Sequence, residues 1–103
     1  MSLAHAQDIE RRDSSTIYVG NMDPLVNTKL LWELFIQVAP VEYVHIPKDR
    51  ITQEHYGFGF VQFKEDHDAQ YAVDVLNGIK LYGKGLKIRL SNEKGEKVIF
   101  KKS

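Results

Sequence analysis

The octapeptide Tyr56-Gly57-Phe58-Gly59-Phe60-Val61-Gln62-Phe63 constrains the fold of this chain more than any other stretch. Read as a β-strand, it sends alternate residues to opposite faces. Gly57, Gly59, Val61 and Phe63 then look one way, and Tyr56, Phe58, Phe60 and Gln62 look the other. A core needs one apolar face, yet this strand carries rings on its second face as well. Two readings stand open at this point. The strand is buried on both sides, as strands of parallel sheets are, or its second face is a platform of rings that stacks on flat ligands, nucleobases foremost.

About 40 residues upstream, Ile17-Tyr18-Val19-Gly20-Asn21-Met22 is a second short β-prone run ending in turn residues. Ile17 and Val19 share one face, and Tyr18 stands on the other beside small Gly20. If the two strands are neighbours, Tyr18 joins Phe58 and Phe60, and the glycines leave room for a base. The spacing of the remaining residues predicts the surrounding elements. A first strand spans 16–21, and Asn27 or Thr28 caps a helix to about Val38, with Leu31, Leu34, Phe35 and Val38 as its core stripe. A second strand over 41–46 turns Val44 and Ile46 inward and Tyr43 and His45 outward, and a charged loop over 47–54 leads to the octapeptide. Acidic Glu65, Asp66 and Asp68 open a second helix, running to about Leu76 on Ala69, Ala72, Val73 and Leu76, and Asn77-Gly78 stops it. A hairpin-like turn over 81–85 precedes a last strand, 86–90, whose Lys87 and Arg89 point to the ring side. The order defines an α+β fold, the split β-α-β-β-α-β (ferredoxin-like) sandwich: a four-stranded antiparallel sheet with two helices on one face. The other face stays open, which decides between the two readings. Tyr18, Phe58 and Phe60 are a binding surface, not core.

With those residues in place, the chain from about 16 to 91 resembles the RNA recognition motif (RRM) family. The family's octamer reads Lys/Arg-Gly-Phe/Tyr-Gly/Ala-Phe-Val-x-Phe/Tyr, and this chain departs from it only at Tyr56. Leu31-Trp32-Glu33-Leu34-Phe35, His45-Ile46-Pro47-Lys48-Asp49-Arg50, Asp68-Ala69-Gln70-Tyr71-Ala72 and Ile79-Lys80-Leu81-Tyr82-Gly83-Lys84 look like the RRMs of splicing factor 3b, the spliceosomal particle that recognises the intron branch site. The resemblance implies a nuclear protein of pre-mRNA splicing that binds single-stranded RNA near the branch site. It also implies that these 103 residues are a fragment, since proteins like it carry a second RRM and a proline-rich tail. The family's stacking positions fall on Tyr18, Phe58 and Phe60. Tyr56 cannot supply the cation usual at its position, so Lys48, Arg50, Lys87, Arg89 and the basic tail are the candidates to replace it, with Tyr43, His45, Tyr56 and Gln62 completing the expected RNA face. Two or three stacks at ~1–3 kcal/mol each, with few ion contacts, suggest binding that is roughly micromolar or weaker.

Charge qualifies that expectation. The chain has 14 basic and 14 acidic residues, so it offers no long-range attraction to phosphate. The distribution is uneven: eight basic against two acidic residues over 75–103 give +6, and six against twelve over 1–74 give −6. RNA should lie toward the last strand and the tail, unless the lysines are only a solvated terminus. The expected organisation is a flexible segment over 1–14, the RRM over 15–91, and a basic tail or linker over 92–103. With no cysteine, no apolar run near the ~20 residues of a membrane span and no signal peptide, the chain reads as soluble and intracellular. His5, His45, His55 and His67 show no metal-ligand spacing, and no nucleophile–base arrangement can be assembled, so neither an enzyme nor a cofactor or small-molecule substrate is expected.

A protein-binding role competes with the RNA role. Trp32 and Ile36 lie on the flank of the first helix away from its core stripe, and Tyr71 and Val75 do the same on the second. They form a patch for a partner, or merely widen the edge of the core. The resemblance favours a partner and names it as subunit two of splicing factor 3b. The alternative function is then an adaptor RRM with little RNA affinity of its own. The loop before the last strand, Tyr82-Gly83-Lys84-Gly85, lacks the Arg-x-Phe with which some degenerate RRMs grip tryptophan ligands.

Overall fold

The runs that alternate in sequence pair into one antiparallel sheet, and a computed structural model describes residues 12–91 of the chain. A 3-10 turn (Asp13–Ser15) leads into β1 (Thr16–Gly20), followed by α1 (Thr28–Phe35), β2 (Val41–His45), β3 (Gly59–Phe63) and α2 (Asp66–Leu76). A small hairpin of β4 (Lys80–Leu81) and β5 (Lys84–Gly85) then precedes β6 (Lys87–Leu90). The strand order is β2-β3-β1-β6, so the two motif strands lie at the centre of the sheet. Leu31 and Phe35 of α1 and Ala69 and Ala72 of α2 share one buried cluster with Ile17, Val19, Val61 and Phe63. Both helices therefore cover the same face, as the split plan requires. None of the helices among the described residues is long and apolar enough to cross a membrane.

Local chemistry sets the ends of the elements. The Asn27 side chain accepts a hydrogen bond from the Leu30 amide at 2.8 Å and caps α1. That helix stops three residues earlier than its apolar stripe predicts, because its last turn tightens and the Val38 amide donates to the Phe35 carbonyl. At the start of α2, the Glu65 amide donates to Asp68 at 3.3 Å. Beyond its end, Gly78 takes φ +92°, which favours glycine, and the Asn77 side chain accepts from the Ile88 amide at 2.9 Å, tying the helix to β6.

Two further boundaries differ from the sequence reading. The fold reaches back to Arg12, whose amide donates to Gln62 Oε1 at 2.9 Å and whose guanidinium meets Glu42, at 2.9 Å, and the Phe63 carbonyl, at 3.0 Å. Residues 12–14 are thus anchored, while 1–11 and the tail 92–103 lie outside the described residues. The octapeptide strand begins at Gly59, not Tyr56. Gly57 adopts φ +90° and donates its amide to His55 Nδ1 at 2.8 Å, so the chain turns there and the alternation is interrupted.

Candidate nucleic-acid interface

The helix-free face is built from the two central strands. Register places Tyr18 opposite Phe60 across β1 and β3, Tyr18 opposite Arg89 across β1 and β6, and His45 opposite Phe60 across β2 and β3. Tyr18, Phe58 and Phe60 form a triangle with every centroid separation at 5.9 Å. The Tyr18 and Phe58 rings are nearly parallel, at 20°, whereas Phe60 meets both edge-on, at 68° and 82°. Edge-to-face pairs of this kind are favourable. The Arg89 guanidinium lies 4.8 Å from the Tyr18 centroid, a cation–π distance. That separation leaves no room for a base between them, so a base that stacks on this side of Tyr18 has to displace the guanidinium. Tyr43 and His45 stack on each other beside the triangle, at 6.2 Å and 11°.

The expected RNA residues divide into groups. Tyr18 and Phe58 are half-buried, and Tyr43, His45, Lys87 and Arg89 are exposed. Phe60 is only 5% exposed, so of the three rings it offers a ligand the least surface. Gln62 does not join the platform. It is buried, its Oε1 accepts from the Arg12 amide and the Thr16 hydroxyl, and its Nε2 donates to Glu42. Its polar atoms hold the start of the chain in place. Tyr56 is exposed but lies before the turn at Gly57, so strand alternation no longer puts it with the rings. Lys48 and Arg50 are exposed in the β2–β3 loop, which is closed by the Lys48–His55 bridge and by Asp49 accepting from the Ile51 and Thr52 amides. Those amides hold the Asp49 carboxyl below its ordinary pKa, the Thr52 bond foremost. No described contact brings either loop cation to the triangle.

The polar end of the sheet fixes one limit of the platform. The Glu42 carboxyl is held below its ordinary pKa, first by the hydrogen bond from Gln62 and then by Arg12. Ser14 and Ser15 donate to Asp66 at 3.0 and 2.5 Å and lower its pKa likewise, Ser15 having the larger effect. Among the described residues no cluster of histidines and carboxylates could hold a metal ion.

On the helical side Trp32, Ile36, Tyr71 and Val75 are all exposed. Sequence reasoning missed a groove of about 520 Å³ between α1 and β2, lined by Trp32, Tyr43 and Val44 with Lys29, Glu33 and Glu42. Beside it the β2–β3 register shifts between Val41 and Tyr43, which no pattern of hydrophobicity announces.

A sheet covered by helices on one side, with rings and cations on the other, defines the class of modules that lay single-stranded nucleic acid across a sheet. The chain belongs to the RNA recognition motif family, whose model matches residues 17–87. It is 52% identical over 80 residues to splicing factor 3B subunit 4 of Caenorhabditis elegans, covering 78% of this chain and 21% of that one. It is 51% identical over 79 residues to splicing factor 3B subunit 4 of Homo sapiens, covering 77% and 19%. The chain thus spans about a fifth of the length of these relatives. Among solved structures it is similar to Sex-lethal RNA recognition domains 1 and 2 from Drosophila melanogaster (TM-score 0.74, 29% identity, 78% of this chain and 51% of that one). It is equally similar to a Sxl-lethal protein/RNA complex (TM-score 0.73, 32% identity, 80% and 49%).

Proposed function

We propose that this domain binds single-stranded RNA across Tyr18, Phe58 and Phe60 and serves pre-mRNA splicing in the nucleus, within an assembly like that of the splicing factor 3B subunit 4 relatives. The observation that carries the RNA reading is the ring triangle on the helix-free face, with Arg89 against Tyr18 and Lys87 two register positions away. The relatives' names support the splicing context, and the solved Sxl-lethal protein/RNA complex supports the ligand. A protein partner, subunit two of splicing factor 3b, meets the helical side through Trp32, Ile36, Tyr71 and Val75. The exposed Trp32 beside the α1–β2 groove supports this.

The adaptor reading has one observation in its favour. Phe60 offers little surface, which leaves two readily accessible rings rather than three. An NMR titration separates the readings. Short single-stranded RNA should shift amides of β1, β3 and β6, and subunit two should shift those of α1 and α2. Sheet amides that respond to the partner and not to RNA would make the domain an adaptor.

A further inference from the structure

Gly20 ends β1 opposite Lys87, on the same face as Tyr18 two residues earlier. Its backbone is not in the left-handed region, so its conformation does not require glycine. Space does. A Cβ built on Gly20 would stand 2.8 Å from Tyr18 Cε1 and Oη and 3.1 Å from Cζ. Non-bonded carbons rest about 3.5–4.0 Å apart. The tyrosine leans along its own strand and lies across the bare Cα of Gly20, in the place where a base was expected to approach. In this posture the ring is nearly parallel to Phe58 and lies beneath the guanidinium of Arg89.

We infer that Gly20 is a positioning residue for RNA stacking: it holds the Tyr18 ring flat on the sheet, so that the ring face, not its edge, meets a base. This rests on the RNA reading above for its ligand, but not for its geometry. A methyl at position 20 touches only the far end of a flexible side chain, so the fold survives while the ring lifts by about 1 Å or rotates. The loss is then of one stack.

The test uses Gly20→Ala, Tyr18→Ala and the double variant in the whole chain, with a short mixed-sequence single-stranded RNA as probe. With the guanidinium 4.8 Å from the ring centroid, the ring current of Tyr18 should shift the side-chain protons of Arg89 in the wild type, and Gly20→Ala should abolish that shift while the melting temperature is kept. Each single variant should weaken RNA binding roughly tenfold, the size of one stack, and the double variant should bind no worse than Tyr18→Ala. An Arg89 shift that persists in Gly20→Ala overturns the inference, as does an additive loss in the double variant. If the wild type does not bind RNA, the functional reading falls, and the Arg89 shift still decides whether Gly20 sets the ring.

Discussion

Phe58→Ala and Phe60→Ala look equivalent in the octapeptide and differ in the structure. Each ring makes two of the three contacts in the triangle, so within it both variants lose about 0.5–1.5 kcal/mol per pair. What differs is burial. Phe60 is 5% exposed while Phe58 is half-buried. Full burial of a phenylalanine contributes about 1.5–3 kcal/mol, and the two rings differ by at most about a third of that, which leaves Phe60→Ala the less stable variant by roughly 0.5 kcal/mol. For a domain of this size that is about 2–4 °C in melting temperature. Both variants should stay folded at 25 °C, because a small domain has about 5–15 kcal/mol of stability. RNA binding should follow the opposite rule. Phe58 offers more ring surface, so its removal should cost at least as much affinity, ~1–3 kcal/mol or about 5- to 150-fold. Thermal melts followed by circular dichroism, with fluorescence anisotropy on a labelled single strand, measure both quantities. Equal melting temperatures would refute the burial argument. Wild-type affinity in a folded Phe58→Ala would refute the platform.

Charge and anchoring give further expectations. Neutralising Lys87 and Arg89 should lower the salt slope of RNA binding by roughly 0.7 per lost phosphate contact. Affinity should fall less for Arg89→Ala than its slope suggests, since that variant also uncovers Tyr18, and an unchanged slope in the double variant would exclude both as phosphate contacts. Arg12→Ala should cost about 1–3 kcal/mol, because it removes a partly exposed ion pair with Glu42 and hydrogen bonds to the Phe63 and Lys64 carbonyls. The pKa of Glu42 is depressed in the fold, so its contribution is complete above the ordinary value of 4.5 and is lost as pH falls through the folded value. Arg12→Ala should therefore start acid unfolding at a higher pH, and melts between pH 7 and pH 3 would show it. A Cβ on Gly59 would stand 3.0 Å from the His45 carbonyl, which as backbone cannot give way, so Gly59→Ala should destabilise the β2–β3 pairing by about 1–3 kcal/mol. A melting temperature within 2 °C of wild type would show that the pairing tolerates the methyl group.

What could be read in the sequence was whatever depends on neighbours along the chain. The alternation of Ile17 to Val19 and Phe60 to Phe63, the two helical stripes and the stop at Asn77-Gly78 all rest on local periodicity, and each appears as read. The misreadings arise where distant residues, or a local turn outside a period of two, decide. Gln62 was placed with the rings by alternation, and it does lie in β3, but Arg12, fifty positions earlier, buries it and engages its amide. Tyr56 was included by extending a strand through Gly57, whose positive φ is stabilised by His55 and invisible to a period of two. Tyr43 was assigned to the RNA face alone. It also lines the groove beside Trp32, next to a shift of the β2–β3 register, so the boundary between the two surfaces runs through one side chain.

Those same corrections give the platform a direction. At one end the guanidinium of Arg12 is neutralised by Glu42, and Gln62 is engaged with both, so this corner offers little to a phosphate. On the opposite edge Lys87 and Arg89 project from β6, within the stretch that carries the +6 excess. If RNA binds this face as proposed, its backbone should be drawn toward β6, with its bases turned inward onto Tyr18 and Phe58. Two cations and two accessible rings make a weak site in isolation, and the neutral net charge adds nothing at a distance. Weakness of this kind suits a module held beside its RNA by something else. A short flexible tether supplies an effective concentration on the order of millimolar, enough to fill a site with a roughly micromolar dissociation constant. The helical side, with Trp32 in its groove, is the surface on which such an anchor can act without touching the rings of the triangle.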